Sequence, residues 1–350
     1  MSKLRYACVG AGSVADYKHL NGYSKLKDDV EIIAVCDPDI KAAELLAEKY
    51  NIPNIYKDYN ELFEKEELDL VSVCTPNYLH APISIRAMGK RINVHCEKPM
   101  TINSKEALEI VKIKNEQNVK FMVGLNNRFT NEAYFVKQYI DEGHIGNIYH
   151  IKTGWRRRRG IPGKGGWFTN KRLSGGGPLI DLGVHFLDLV LYFINYPDAF
   201  SVSASTYSKF SNNKSLNSWS YSKSIDGIYD VEDIAVGFIR LNNNISIDFE
   251  FSWASNIEED YNYYEILGDK GGIWYKNGQL KIFSEVVDTL IDITPNTNYP
   301  KPPLNEFEHF IKCIKYDKQP ISTAEQGFKL MKLIDSIYES AEKAKEIILF

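Results

Sequence analysis

One turn near the start of the chain limits the fold more than any other feature: Val9-Gly10-Ala11-Gly12-Ser13-Val14-Ala15. The apolar run Leu4–Val9 before it reads as a buried strand, and the segment after it can be helical. The glycines therefore stand where a strand gives way to a helix, in the G-x-G-x-x-A form of a dinucleotide fingerprint. Gly10 permits the tight turn, Gly12 lets the backbone approach a pyrophosphate, and Ala15 lets helix and strand pack closely. Ser13 and Val14 lead into the helix, whose free N–H groups and positive dipole end suit phosphates. The next strand, 31–36, ends at Asp37, about 20 residues past the glycines, where a carboxylate accepts hydrogen bonds from both adenosine-ribose hydroxyls. A 2′-phosphate there would meet a negative charge, so the cofactor reads as NAD(H) in preference to NADP(H), with secondary use of NADP left open. A plain glycine turn followed by an Asp that opens the next helix is the alternative; the spacing and the context favour the nucleotide.

Strand-like and helix-like segments alternate as far as residue 125, which predicts a parallel sheet flanked by helices. The strands are expected at 4–9, 31–36, 54–56, 70–74, 92–96 and 120–123, and helices at 40–50, 81–88 and 104–115. Polar residues collect just past the strand ends, where such sheets bind ligands: Gly10, Asp37, Thr75-Pro76-Asn77, Glu97-Lys98-Pro99 and Gly124-Leu125-Asn126. Thr75, Asn77, Glu97 and Asn126 are accordingly read as cofactor-binding. His80 either joins them or caps the helix that follows. Lys98 is the sharpest of the group. Pro99 restricts the backbone before it, and an ammonium beside a nicotinamide stabilises alkoxide character during hydride transfer. A solvated surface lysine is the plainer reading.

A chain of 350 residues suggests two domains. Its net charge of −4 gives no general pull toward nucleic acid or acidic membranes. No apolar stretch is read as a membrane span, and the N-terminus lacks the pattern of a signal peptide. Five cysteines without a C-x-x-C pair, three of them in apolar strand-like runs (Cys8, Cys36, Cys74), predict reduced thiols and a cytoplasmic protein. Cys96 beside Glu97 is read as a small strand residue.

In the second half, Pro178 is placed to begin a helix over 179–191. This helix is apolar nearly all round and should be buried. Its polar exceptions, Asp181, His185 and Asp188, recur at i, i+4 and i+7 and share one stripe, which suggests a wet cleft. There Asp181 can orient the imidazole and His185 can accept a hydroxyl proton; a hydrogen-bonded core triad is the alternative. No metal is expected, since hydride transfer by nicotinamide needs none. The basic, aromatic, glycine-rich stretch 155–168 reads as a substrate-lining loop, with Trp155, Arg156 and Trp167 in contact and Arg128 also shaping the pocket. Strands are expected at 148–155, 200–207, 234–241, 245–253 and 263–267, with Asn242-Asn243-Asn244 as a hairpin connection. Helices follow at 304–316 and 323–345, the second opened by a Ser322/Glu325 capping box. The polar stretch 209–225 reads as an exposed excursion, and 295–303 as irregular.

The fingerprint, Cys74-Thr75-Pro76-Asn77 with His80, Glu97-Lys98-Pro99, Gly124–Phe129, Gly175-Gly176-Gly177, Asp181–His185 and Ile337–Ala341 together resemble the Gfo/Idh/MocA oxidoreductase family over nearly the whole chain. The resemblance implies an α/β protein: an N-terminal Rossmann doubly wound parallel sheet plus a C-terminal α/β domain with a large, open, mostly antiparallel sheet. The domains would be 1–125, which binds NAD, and 126–350, which binds substrate and assembles the oligomer. It further implies that Lys98 is the active-site lysine and His185 the proton acceptor, and that the second sheet forms a homodimer or homotetramer. The expected activity is NAD-dependent oxidation of a secondary alcohol in a sugar, sugar derivative or cyclic polyol. NAD-dependent glycoside cleavage through transient oxidation and elimination is one alternative, and a non-catalytic NAD-binding regulator is another.

Overall fold

The computed structural model describes residues 2–211, 227–296 and 298–349. The chain divides into two compact units, residues 1–125 with 304–331, and residues 126–303 with 332–350.

The first unit is built on six parallel strands: β1 (Leu4–Val9), β2 (Val30–Cys36), β3 (Asn54–Tyr56), β4 (Leu70–Val73), β5 (Asn93–Cys96) and β6 (Phe121–Val123), in the order β3-β2-β1-β4-β5-β6. Strands with both faces covered must be apolar almost throughout, and all four residues of β4 and the last four of β1 are buried. The order of the strands reverses between β1 and β4, the place where such sheets open a ligand crevice. Gly10 leaves β1 there at φ +102°. A Cβ on it would lie 2.4 Å from the Cys74 carbonyl oxygen, so the position admits only glycine.

Helices Ile40–Tyr50, Tyr59–Lys65, His80–Gly89 and Ser104–Gln117 join the strands. The helix over 59–65 was not anticipated from the sequence. Asp39 caps the first of these, its side chain accepting the Lys41 and Ala42 N–H groups. Behind the glycine turn the chain forms a π-turn, Ala15–Leu20, and one further turn, Asn21–Tyr23. The last helix, Ala324–Lys343, is capped one residue later than its sequence suggests. Thr323 Oγ1 accepts the Gln326 N–H at 3.2 Å and Gln326 Oε1 accepts the Thr323 N–H at 3.4 Å. Ser322 is buried and donates instead to the Val123 carbonyl at 2.7 Å, because residues 322–323 run alongside β6.

Among its described residues the second unit carries nine strands: β7 (Ile148–Arg156), β8 (Ala199–Tyr207), β9 (Ile234–Leu241), β10 (Ser246–Ser252), β11 (Tyr261–Gly268), β12 (Gly271–Lys276), β13 (Gln279–Val286), β14 (Thr289–Ile293) and β15 (Ile347–Ile348). Their order is β14-β13-β12-β11-β7-β10-β9-β8-β15, and every pairing except β10 with β7 is antiparallel. Asn242-Asn243-Asn244 connects β9 to β10 as a hairpin. Strands β12 to β14 escape the sequence pattern because their apolar alternation is brief and exposed Phe283, Val286 and Leu290 blur it.

The expected helix over 179–191 is a π-turn, Leu179–Gly183, continued by an α-helix, Val184–Phe193, and it packs on β7 and β10. By length and composition, residues 171–193 reach the hydropathy of a membrane span, but the stretch carries Asp181, His185 and Asp188 and 83% of the apolar window is buried inside the protein. It is a core segment. The polar excursion expected at 209–225 falls, from residue 212 onward, outside the described residues. All five cysteines are buried and free.

Candidate active site

The glycine turn and Asp37 form one local structure in the first unit. The Gly10 N–H bonds to the Cys36 carbonyl at 2.8 Å, and Asp37 Oδ2 accepts the Ala11 N–H at 2.7 Å. Asp37 Oδ1 accepts the Asp39 N–H at 2.8 Å. A carboxylate offers about four lone-pair sites, so the oxygens that brace the turn keep capacity for two hydroxyl donors. Gly12 and Ser13 are exposed and Val14 half-buried; a Cβ built on Gly12 meets nothing within 4 Å. Thr75 follows β4 at the same crevice, and its Oγ1 is buried with no hydrogen-bond partner among the described residues. An open glycine backbone, an acid with spare acceptors and an orphaned hydroxyl fit a dinucleotide.

Two residues expected at the cofactor serve the scaffold. His80 is 1% exposed and spans two loops, with Nδ1 2.6 Å from the Pro99 carbonyl and Nε2 2.9 Å from that of Thr75. It is the first residue of the helix His80–Gly89, not its N-cap, and does not face solvent. Burial lowers its pKa. Glu97 turns inward at 6% exposure. Its Oε1 accepts from Lys18 Nζ at 2.5 Å and pairs with His19 Nε2 at 2.8 Å, and its Oε2 accepts the Lys98 N–H at 3.2 Å. His19 Nδ1 reaches Ser72 Oγ at 2.8 Å, and Lys18 lies 3.4 Å from Glu306, which pairs with His95 at 3.1 Å.

A buried carboxylate needs such partners, and the network ties the helix behind the glycine turn to the loop that carries Lys98. Burial alone would push the Glu97 carboxyl up; Lys18 and His19 outweigh it and hold it well below the ordinary value. Burial pushes His19 down to about 4. Lys98 itself is half-buried, and Asn77, in the turn that follows β4, is buried.

In the second unit, Asn126 is exposed in the short turn Asn126–Phe129. Asp181 and His185 are half-buried, whereas Asp188 is fully buried. His185 and Asp188 both lie in the α-helical part, so the π-turn shifts only Asp181 against them; Asp188 is nevertheless fully buried and does not share the cleft expected for it. It meets Arg128 instead. Arg128 Nε donates to Asp188 Oδ2 at 2.8 Å, Nη2 to Oδ1, and the Tyr196 hydroxyl to Oδ1 at 2.6 Å. At 2% exposure Arg128 is a core ion-pair residue, which corrects its assignment to substrate.

The arginine run is likewise tied to its own unit. Arg156 pairs with Glu250 and Tyr261, Arg157 with the Gly160 carbonyl, Arg158 with that of Glu258, and Arg159 with Ser255 and Asn256. Trp155 comes within 6.0 Å of the His185 ring, centroid to centroid; Trp167 stacks on Phe168 at 3.8 Å.

Two residues that sequence reasoning missed hold the Asp181 segment. Trp253, fully buried, donates its indole N–H to Asp181 Oδ2 at 2.9 Å. Glu232 accepts the Gly177 N–H at 2.9 Å, the Leu179 N–H at 3.1 Å and the Tyr338 hydroxyl at 2.9 Å. A Cβ on Gly176 would lie 2.0 Å from the Tyr338 hydroxyl, and one on Gly177 2.3 Å from the Glu232 carbonyl, so this clamp requires the glycines. Burial raises the Glu232 pKa against the pull of these donors. The glycine run at 175–177 was the visible signal; its acidic partner lies 55 residues away from Gly177 and carries no pattern of its own.

Residues 4–125 match the oxidoreductase family with an NAD-binding Rossmann fold, GFO_IDH_MocA, and residues 137–349 match that family's C-terminal alpha/beta domain. The chain is 32% identical over 357 residues to the D-glucoside 3-dehydrogenase of Escherichia coli K12, covering 99% of this chain and 98% of that one. It is 25% identical over 351 residues to the glucose-6-phosphate 3-dehydrogenase of Bacillus subtilis 168, covering 95% and 94%. Levoglucosan dehydrogenase in complex with NADH has the same fold, with a TM-score of 0.85 at 21% identity over the full length of both chains.

Proposed function

This chain belongs to the Gfo/Idh/MocA oxidoreductase family and is a sugar or polyol oxidoreductase with an NAD-binding fold; from that premise we propose that it oxidises a secondary ring hydroxyl of a glucoside, at position 3, with NAD as acceptor. The observation that carries the substrate is the whole-length likeness to the D-glucoside 3-dehydrogenase. The preference for NAD rests on Asp37, whose charge opposes a 2′-phosphate.

Bound NAD supplies the hydride-accepting ring. Gly10, Gly12, Ser13 and Val14 take the pyrophosphate against open backbone, Asp37 takes the ribose hydroxyls, and Thr75, Asn77 and Asn126 complete the contacts. Lys98 donates a hydrogen bond to the reacting oxygen and stabilises its negative charge as the O–H bond breaks. His185 accepts that proton. Asp181, held by Trp253, supports the imidazolium. The carbon-bound hydrogen leaves with its electron pair, so the alcohol becomes a ketone and His185 later returns its proton to water.

Trp155, on the face of β7 that packs toward His185, and Trp167 on the following loop line the substrate. Arg156, the next residue of the strand, points to the opposite face, where Glu250 and Tyr261 hold it, which corrects its assignment to substrate. Assembly into a homodimer or homotetramer through the second sheet belongs to the same proposal, with exposed Phe283 on the sheet face turned away from His185 as its support. The purified protein with methyl β-glucoside should form NADH, and a broad panel of glucosides, free sugars and inositols assayed with NAD and with NADP tests the proposal. Turnover confined to inositols would overturn the substrate, and inertness toward the whole panel would overturn the activity.

A further inference from the structure

The second unit holds a cavity of about 180 Å³. Its walls include the rings of Trp155, Phe186, Tyr264 and Tyr275, together with Asn262 and Glu132. Tyr264 and Tyr275 stack with centroids 4.7 Å apart and planes 5° from parallel. Trp155 belongs to two places at once: it lines this cavity, packs 5.7 Å from Phe186, and lies 6.0 Å from the His185 ring. Asn262 stands opposite Trp155 in the β11–β7 register. Its Oδ1 is buried with no hydrogen-bond partner among the described residues, a condition that costs free energy until a donor arrives.

We propose that this cavity is a subsite for a second pyranose ring, joined through its glycosidic bond to the sugar oxidised at His185. The inference rests on the glycoside reading above and specifies it. Small-molecule pockets usually span about 300–1,000 Å³, so this one has room for a single ring and not for a whole disaccharide. The half-buried rings of Trp155 and Tyr275, backed by buried Phe186 and Tyr264, suit the C–H surfaces of a pyranose. Asn262 Oδ1 and the Glu132 carboxylate are both acceptors and call for hydroxyl donors. An alkyl aglycone would fill the space but leave Asn262 Oδ1 unpaired, and a site built around a buried acceptor discriminates against a group that cannot donate.

The test compares cellobiose, methyl β-glucoside and hexyl β-glucoside on the NAD-loaded protein, in the wild type and in Asn262→Leu, Asn262→Ser and Tyr275→Ala. Saturation-transfer NMR of cellobiose runs in parallel and needs no turnover. The wild type should favour cellobiose over both other glucosides by roughly tenfold in kcat/KM, mostly through KM, and each substitution should reduce that preference to about threefold or less. Both cellobiose rings should receive saturation from the wild type, and the ring farther from the oxidised one should lose it in the variants.

A wild-type preference near unity, a preference that survives all three substitutions, or a second ring that receives no saturation would overturn the subsite. If no glucoside is oxidised while the second ring is saturated by the wild type and released in Asn262→Leu, the subsite stands and the dehydrogenase reading falls.

Discussion

Replacing Arg128 by Met separates a structural role from a binding one. Arg128 and Asp188 are 2% and 0% exposed, with two charge-assisted hydrogen bonds between them and a third from Tyr196. The guanidinium also lies 4.9 Å from the Tyr192 ring centre and 5.3 Å from that of Tyr196. Methionine keeps much of the volume and removes the charge, leaving Asp188 buried with Tyr196. Removing one member of a buried pair costs about 3–5 kcal/mol. The Tyr196 hydroxyl still donates to Asp188, so the lower end applies. For a unit of this size each kcal/mol moves Tm by roughly 2–4 °C, which gives a drop of roughly 6–12 °C.

Scanning calorimetry is the assay, because two units need not melt as one transition. Adding Asp188→Asn to Arg128→Met removes the stranded charge while keeping an acceptor for Tyr196, and should recover about half of the loss or more. KM for the glucoside should stay within about threefold of wild type. A tenfold rise in KM with Tm unchanged would refute the core assignment and return Arg128 to the substrate.

Lys98→Met should lower kcat by roughly 10²–10³, the usual loss of one donor to a developing oxyanion, while NAD affinity stays near wild type; stopped-flow turnover and fluorescence titration read the two, and unchanged kcat would refute the role. Asp37→Ser should weaken NAD roughly ten- to a hundredfold, the loss of hydrogen bonds to a charged group, and tighten NADP; titration with both nucleotides checks it, and equal weakening of both would contradict the ribose contact. Acid should unfold the first unit through its buried network. His19 sits at about 4 where the free side chain titrates at 6.5, so below 6.5 the unfolded chain takes up a proton that the native state refuses. Its contribution is complete above 6.5 and falls by up to about 1.4 kcal/mol per pH unit toward 4. Denaturant melts of His19→Gln should show a flatter slope across that window, and a slope equal to wild type would refute it.

The first unit was legible because its signals are local. A glycine turn, an acid at the next strand end and apolar strands of ordinary length each report on a few neighbouring residues, and together they predict a parallel sheet flanked by helices; the order β3-β2-β1-β4-β5-β6 is read from the fold. The second unit was legible mainly through resemblance, since β12 to β14 alternate too briefly to stand out. What the sequence hid are partnerships across long separations. Glu97 follows a strand end as a cofactor ligand would, yet Lys18 and His19, nearly 80 residues earlier, claim its carboxylate. Asp188 stays on one stripe with His185, yet Arg128, 60 residues earlier, and Tyr196 claim its carboxylate, while the π-turn at Leu179–Gly183 shifts Asp181 against both. Trp253 and Glu232 show no pattern at all; their roles exist only once β10 and the Gly175–Gly177 turn are folded.

The central claim is direct hydride transfer from a glucoside ring carbon to NAD, and deuterium placed on C3 of methyl β-glucoside reads it. The label should appear on the reduced nicotinamide, one per molecule of 3-ketoglucoside formed, with slower turnover than for the unlabelled sugar. Label found in water, or sugar consumed with none on the nicotinamide, would contradict the account.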